Sequence, residues 1–164
     1  NLDHLVDGVK IGHADAVLAG ELVVGDIADT ALLRSLFARG QFDAVMHFAS
    51  FIQVGESVLH PAKYCENNVV NTLNLLNVMR EFGVLRFIFS STAATFGEPQ
   101  YSPIDEAHPQ MPINPYGRSK LMVEQALADY DRAYGLKSVC CAISTPLGQI
   151  RRANWASAMI PRRI

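Results

Sequence analysis

The sequence predicts an α/β fold with a parallel sheet wound by helices on both faces, and three observations carry that expectation. Short apolar runs alternate with amphipathic stretches along the chain. The apolar runs are nearly continuous, as in strands covered on both faces, rather than alternating with polar residues. The amphipathic stretches carry helix start and stop residues of their own. Alternation of this kind builds parallel sheets with right-handed helical crossovers.

In chain order, "ELVVGDI" (21–27) is expected as a strand. "DTALLRSLFARG" (29–40) follows as a helix, with Leu32, Leu33, Leu36 and Phe37 on one face and Gly40 as its stop. "DAVMHFAS" (43–50) is a second strand. A long helix spans 61–83, opened by Pro61 and closed by Gly83, with Val69, Leu73, Leu76 and Met79 as its buried stripe. "LRFIFSST" (85–92) is a third strand, followed by a Pro- and Gly-rich loop over about 97–113. "NPYGRSKLMVEQALADYDRAYG" (114–135) is a third helix, with Asn114 as N-cap and Pro115 in its first turn. "LKSVCCAIS" (136–144) is a last strand.

With 164 residues, 49% hydrophobic and 18% charged, the chain is long enough for one domain with its own core. A net charge of −2 gives no overall attraction to nucleic acid or anionic lipid. The charge is uneven, however: Arg151, Arg152, Arg162 and Arg163 close the chain with no acid after them. They stand as two isolated pairs with Trp155 as the one aromatic between, a poor pattern for binding nucleic acid. No apolar run reaches transmembrane length and no leader opens the sequence. Three cysteines (Cys65, Cys140, Cys141) do not form a disulfide framework, so a cytoplasmic location is expected. Glu56 and His60 lie four apart, but a lone pair is read as surface, and no metal site is expected.

In sheets of this kind ligands bind beyond the carboxyl ends of the strands. That directs attention to Asp26, Ser50 and the cluster Ser90, Ser91 and Thr92. Tyr116 and Lys120 follow on one helix face, four residues apart. A phenol of pKa about 10 is a weak base at neutral pH. A neighbouring ammonium and a helix N-terminus favour its ionised form, which suits it to move a hydroxyl proton. Tyr-x-x-x-Lys alone is equally a surface pair at helical spacing, and strand-end hydroxyls equally cap turns.

Taken together, "VVGDI", "HFASFIQVGESVLHPAKYCENNVVNTLNLL", "FIFSSTAATFGEP" and "NPYGRSKLMVEQ" resemble, in order and over roughly residues 21 to 140, the UDP-glucose 4-epimerase family of extended short-chain dehydrogenases. The resemblance implies a Rossmann-like sheet, NAD as cofactor and a UDP-sugar as substrate. It makes Tyr116 the catalytic acid/base, and gives Lys120 the nicotinamide ribose and the lowering of the phenol pKa. Thr92 would hydrogen-bond the sugar 4-hydroxyl, with Ser90 and Ser91 near the nicotinamide. Asp26 and Ile27 would lie by the adenine, Phe48, Ala49 and Ser50 under the pyrophosphate and ribose, and Asn67 would reach the cofactor from the long helix. A lysine that some members carry after "HFA" is Ile52 here, so that contact is lost. The implied reaction removes hydride from sugar C4 to NAD while Tyr116 takes the hydroxyl proton. The 4-keto sugar then turns and hydride returns to its other face. Pairing of two copies through helices 61–83 and 114–135 is also implied.

Against the family pattern, the chain shows no glycine-rich phosphate turn, no first β-α-β unit and no substrate domain. The expectation is therefore a partial doubly wound, Rossmann-like NAD-binding domain over residues 1–144 and a tail outside the family over 145–164. Dehydratases of the same extended family usually carry Asp-Glu after the strand-end Thr. Thr92 is followed by Ala93 and Ala94, which favours epimerisation. Another nucleotide-sugar epimerase, dehydratase or decarboxylase, and a non-catalytic pseudogene remnant, are the alternative readings. The tail has a specific explanation. Cys-Ala-Ile-Ser-Thr, starting at Cys141, can be encoded TGC GCT ATT TCA ACG. Without its first two bases this reads Arg-Tyr-Phe-Asn, and permitted codons extend it to "RYFNAAGANPEGELGERHDPETH", an epimerase-like continuation. The tail is thus expected to be a frame-shifted translation.

Overall fold

Three parallel strands hold the described part of the chain together. The computed structural model describes residues 23–143 and the strand Met159–Arg163. Strand β1 is Val45–His47, β2 is Arg86–Thr92 and β3 is Lys137–Ile143. β1 pairs in parallel with β2, placing Val45 beside Phe87 and His47 beside Phe89. β2 pairs in parallel with β3 from Arg86 beside Lys137 to Thr92 beside Ile143. β4, Met159–Arg163, adds antiparallel to β3 and makes the sheet mixed.

The helices are α1 (Thr30–Arg39), α2 (Val54–Leu59), α3 (Pro61–Tyr64), α4 (Asn71–Glu81) and α5 (Pro115–Tyr134). α1 begins where the Asp29 carboxylate accepts from the Leu32 amide at 2.9 Å. α5 is capped as the sequence predicts. Asn114 Oδ1 accepts from Gly117 N at 2.8 Å, and Gly135 takes the left-handed conformation at the other end. One cluster joins Leu33 and Phe37 of α1, Leu75, Leu76, Val78 and Met79 of α4, Phe87 and Phe89 of β2, Val123 and Leu127 of α5 and Cys140 of β3. All three longer helices therefore pack on one face of the sheet.

Three expectations are corrected. First, residues 23–27 of "ELVVGDI" form no strand but run irregularly into a turn at 27–28; Glu21 and Leu22 lie outside the described residues. β1 is the last strand on that side of the described sheet, so no ladder there pairs with 23–27. Second, the strand at 43–50 is confined to Val45–His47, because the chain then leaves the sheet and Phe51 bonds through both its backbone groups to Asn68. Third, the helix at 61–83 is not uniform. Residues Cys65–Val70 widen into a π-helical segment, and α2 precedes it unforeseen. The widening turns its stripe, so Leu75, Leu76, Val78 and Met79 are buried while Val69 and Leu73 only flank the core. Among the described residues, the helices packed on the sheet lie on one of its faces. On the open face Met46 is 61% exposed, with Ile88 and Val139 half-buried beside it.

Beyond β2 comes a short 3₁₀ turn, Ala93–Thr95, and then a strap over residues 97–113 without regular structure. Buried His108 organises it. Its Nε2 accepts from Gln100 N at 3.0 Å, its Nδ1 donates to the Pro109 carbonyl at 2.9 Å, and its ring meets Phe96 edge-on. Among the described residues no helix is long and apolar enough to cross a membrane.

Candidate active site

The carboxyl ends of β1 and β2 face the first turns of α5, and the residues expected to carry chemistry meet there. Lys120 is 2% exposed. Its ammonium donates to Ser50 Oγ after β1 at 2.7 Å and to the Ser90 carbonyl in β2 at 2.9 Å. It also lies 4.7 Å from the centre of the Phe89 ring. Burial lowers its pKa to about 8, against the opposing pull of the Glu124 carboxylate.

Tyr116 lies one turn before Lys120 on the same helix and is 8% exposed. Its position is fixed through its backbone. Tyr116 N donates to Ser57 Oγ at 3.1 Å, and Ser57 in turn donates to the Val54 carbonyl at 2.6 Å. α2 thus caps α5 from outside, a contact that helix-local capping rules do not reveal. Gly117 completes the placement. A Cβ at this position would stand 2.5 Å from the Ala94 carbonyl oxygen and 3.0 Å from Pro112 Cβ. Only glycine lets α5 start directly on the turn that follows Thr92. Thr92 ends β2 nearly buried, and its hydroxyl oxygen accepts from Ala94 N at 3.1 Å. That bond leaves the hydroxyl proton to be donated elsewhere.

Three buried groups that sequence reasoning passed over support this arrangement. Asn68 holds the 48–53 loop by accepting from Phe51 N at 2.9 Å and donating to Phe51 O at 3.0 Å; it also donates to Ser119 Oγ on α5 at 3.2 Å. Its place in the π-helical segment aims it at the loop, a feature typical of functional regions. His47 lies among Phe87, Phe89 and Thr72, with Nε2 3.0 Å from Thr72 Oγ1. Burial, and secondarily the Lys120 charge, lower its pKa to about 4, so it is neutral. Glu124 is nearly buried, one turn beyond Lys120. It accepts from Ser91 Oγ and, at 2.7 Å, from Gln110 Nε2 of the strap. The Tyr116, Lys120, Glu124 series at i, i+4 and i+8 was a signal available in the sequence.

The remaining expected residues are spread along the loops. Phe48 is 59% exposed, and Ala49 is exposed beside it. Asn67 is half-buried and donates to Asn68 Oδ1 at 3.0 Å. Asp26 is exposed, and its carboxylate caps a local turn at Ala28 N, 2.8 Å away, next to half-buried Ile27. Glu56, four before His60, is engaged by Lys63 at 2.6 Å and by the Tyr64 hydroxyl at 2.8 Å. Tyr64 is fully buried. Loss of water and its bond to Glu56 raise its phenol to about 12, which removes it as a rival base to Tyr116.

The sequence profile of the family described as GDP-mannose 4,6 dehydratase matches residues 2–164. A UDP-glucose 4-epimerase of Rhizobium leguminosarum bv. trifolii is 50% identical over 81% of this chain and 41% of its own length. One from Lacticaseibacillus casei is 44% identical over 94% of this chain and 44% of its own. The crystal structure of a Brucella ovis UDP-glucose 4-epimerase in complex with NAD superposes with a TM-score of 0.73 at 50% identity, over 79% of this chain and 40% of that one. The chain thus spans about two fifths of the length of such relatives. The profile match, the identity and the superposition agree: the chain belongs to the UDP-glucose 4-epimerase family of extended short-chain dehydrogenases.

Proposed function

We propose that this chain carries the acid/base half of an NAD-dependent UDP-sugar 4-epimerase site, with UDP-glucose and UDP-galactose as the substrate pair. The observation that supports it best is the buried Lys120 ammonium, held by Ser50 and the Ser90 carbonyl at the ends of two parallel strands, one turn from Tyr116. An ammonium has three donors; Ser50 and Ser90 take two among the described residues, and the third suits a ribose hydroxyl. The donor set therefore fits NAD, with Ser90, Ser50, Ala49, Phe48, Asn67, Asp26 and Ile27 as further candidate contacts. NAD, when bound, supplies the acceptor and donor of hydride.

The chain's own residues do the rest. Thr92 donates to the sugar hydroxyl and orients it. Tyr116 takes the proton of that hydroxyl and later returns it. Lys120, fixed by Ser50 and the Ser90 carbonyl, presents its ammonium one turn along the same helix face. Water is kept from Lys120 by Phe89 and by the 48–53 loop that Asn68 holds. The same reading places the protein in the cytoplasm. It pairs copies through helices 61–83 and 114–135, where Val70 and Met122 are exposed. It takes residues 145–164 as a frame-shifted tail, and the isolated chain is expected to bind NAD weakly or not at all and to show no turnover.

A chimera tests the site. Residues 23–143 replace the matching stretch of the full-length Rhizobium relative, and UDP-galactose conversion is assayed. Activity is expected, with losses of about 10²- to 10⁴-fold for Tyr116→Phe and Lys120→Met. An active chimera indifferent to both substitutions would overturn the assignment.

A further inference from the structure

We propose that Glu124 is a positioning residue of this site: its carboxylate ties Ser91 of β2 and Gln110 of the strap to the helix face that carries Tyr116 and Lys120. The proposal deepens the reading of Tyr116, Lys120 and Thr92 given above. Three elements meet at this one side chain. Ser91 Oγ donates to one carboxylate oxygen, and Gln110 Nε2 donates to the other at 2.7 Å. The next residue after Ser91 is Thr92, and the residue before it gives its carbonyl to Lys120. Two successive strand-end residues are therefore fixed to α5, one through Lys120 and one through Glu124. The strap is fixed at the same point.

A carboxylate is costly to bury and is tolerated where its oxygens are hydrogen-bonded and a cation is near. Glu124 meets both conditions, with Lys120 one turn away. Lys120 faces neutral His47 from β1 and shares its own helix face with Tyr116 and Glu124. Glu124 is the anion whose field Lys120 feels, and it favours the charged ammonium. Merely filling the core would need neither a charge nor a tie to the strap.

Two variants of the whole chain separate these roles. Glu124→Gln keeps the shape but removes the charge: its amide oxygen accepts from Gln110 Nε2 and its amide nitrogen donates to Ser91 Oγ, reversing that one bond. In protein labelled at lysine Nζ and Cε, the Lys120 resonance (identified by its loss in Lys120→Met) is expected to titrate about one pH unit lower. Gln110→Ala cuts only the strap, so the Lys120 midpoint should hold while amide exchange at His108 quickens about tenfold. An unmoved Lys120 midpoint in folded Glu124→Gln, or unchanged exchange in Gln110→Ala, overturns the proposal. If Glu124→Gln does not fold, Glu124→Asp keeps the charge and shortens the reach. A slackened strap with an unshifted Lys120 supports the proposal, and an unchanged strap overturns it. UDP-galactose conversion by the chimera reports separately on the acid/base reading and can fail without touching either result.

Discussion

Two buried side chains, Lys120 and His47, set the electrical character of the site, and each has a measurable consequence. They face one another across the end of the sheet, and both are shifted toward neutrality, chiefly by loss of water. His47 sits at about 4 when folded, against 6.5 when free. The unfolded chain therefore takes up a proton first as the pH falls. The contribution of His47 to stability is complete above about pH 6.5 and declines from there toward pH 4. The span corresponds to about 3 kcal/mol in total. Urea unfolding at pH 7.5 and pH 5 should show a loss that His47→Gln reduces. Equal losses in the two proteins would mean that His47 is not buried neutral. Lys120 needs no such switch. Its two oxygen partners are neutral, so its charge is balanced mainly by Glu124, and its proton stays on at neutral pH.

At the scale of elements, the decisive contact is the landing of α5 on the turn after β2. Helix, cap and register follow from local rules, but the closeness of approach depends on Gly117 and Ala94, residues with no chemistry of their own. Gly117→Ala must lift the first turn of α5 off the Ala94 carbonyl. The expected cost is about 1–3 kcal/mol of stability, measured by denaturant unfolding. In the chimera, turnover should fall by more than the stability loss explains, because Tyr116 moves with that turn. Retention of both stability and turnover would show that the approach is not required. This contact also marks what the sequence could reveal. Tyr116, Lys120, Thr92 and Asn114 were legible because each announces itself by type and spacing within a few residues. Asn68, Ser57 and His47 were not, since their partners lie far away in sequence at Phe51, Tyr116 and Thr72. The strand expected at 21–27 failed for the complementary reason. Its apolar pattern is right, but a strand exists only beside a neighbour, and the described sheet places none there.

At the scale of the whole molecule, the described residues give the sheet two unlike faces. α1, α4 and α5 cover one face, while Met46, Ile88 and Val139 line the other with Phe48 exposed nearby. Beyond β3 the sheet is closed by an antiparallel strand that ends in Arg162 and Arg163, where the parallel winding calls for another crossover. The frame-shift reading accounts for this change of character. The residues from Cys141 onward can all be encoded by codons that spell an epimerase-like continuation when two bases are dropped. Degenerate third positions alone rarely sustain such a motif along a whole tail. The family profile, whose match runs to residue 164, argues for an in-frame tail instead. The coding sequence decides between them. Cys141 to Thr145 should read TGC GCT ATT TCA ACG or a close synonym that regroups to Arg-Tyr-Phe-Asn, and the later codons should continue "AAGANPEG". Codons that break this regrouping anywhere in the first few residues end the frame-shift reading and leave Arg151, Arg152, Arg162 and Arg163 as an inherited basic tail.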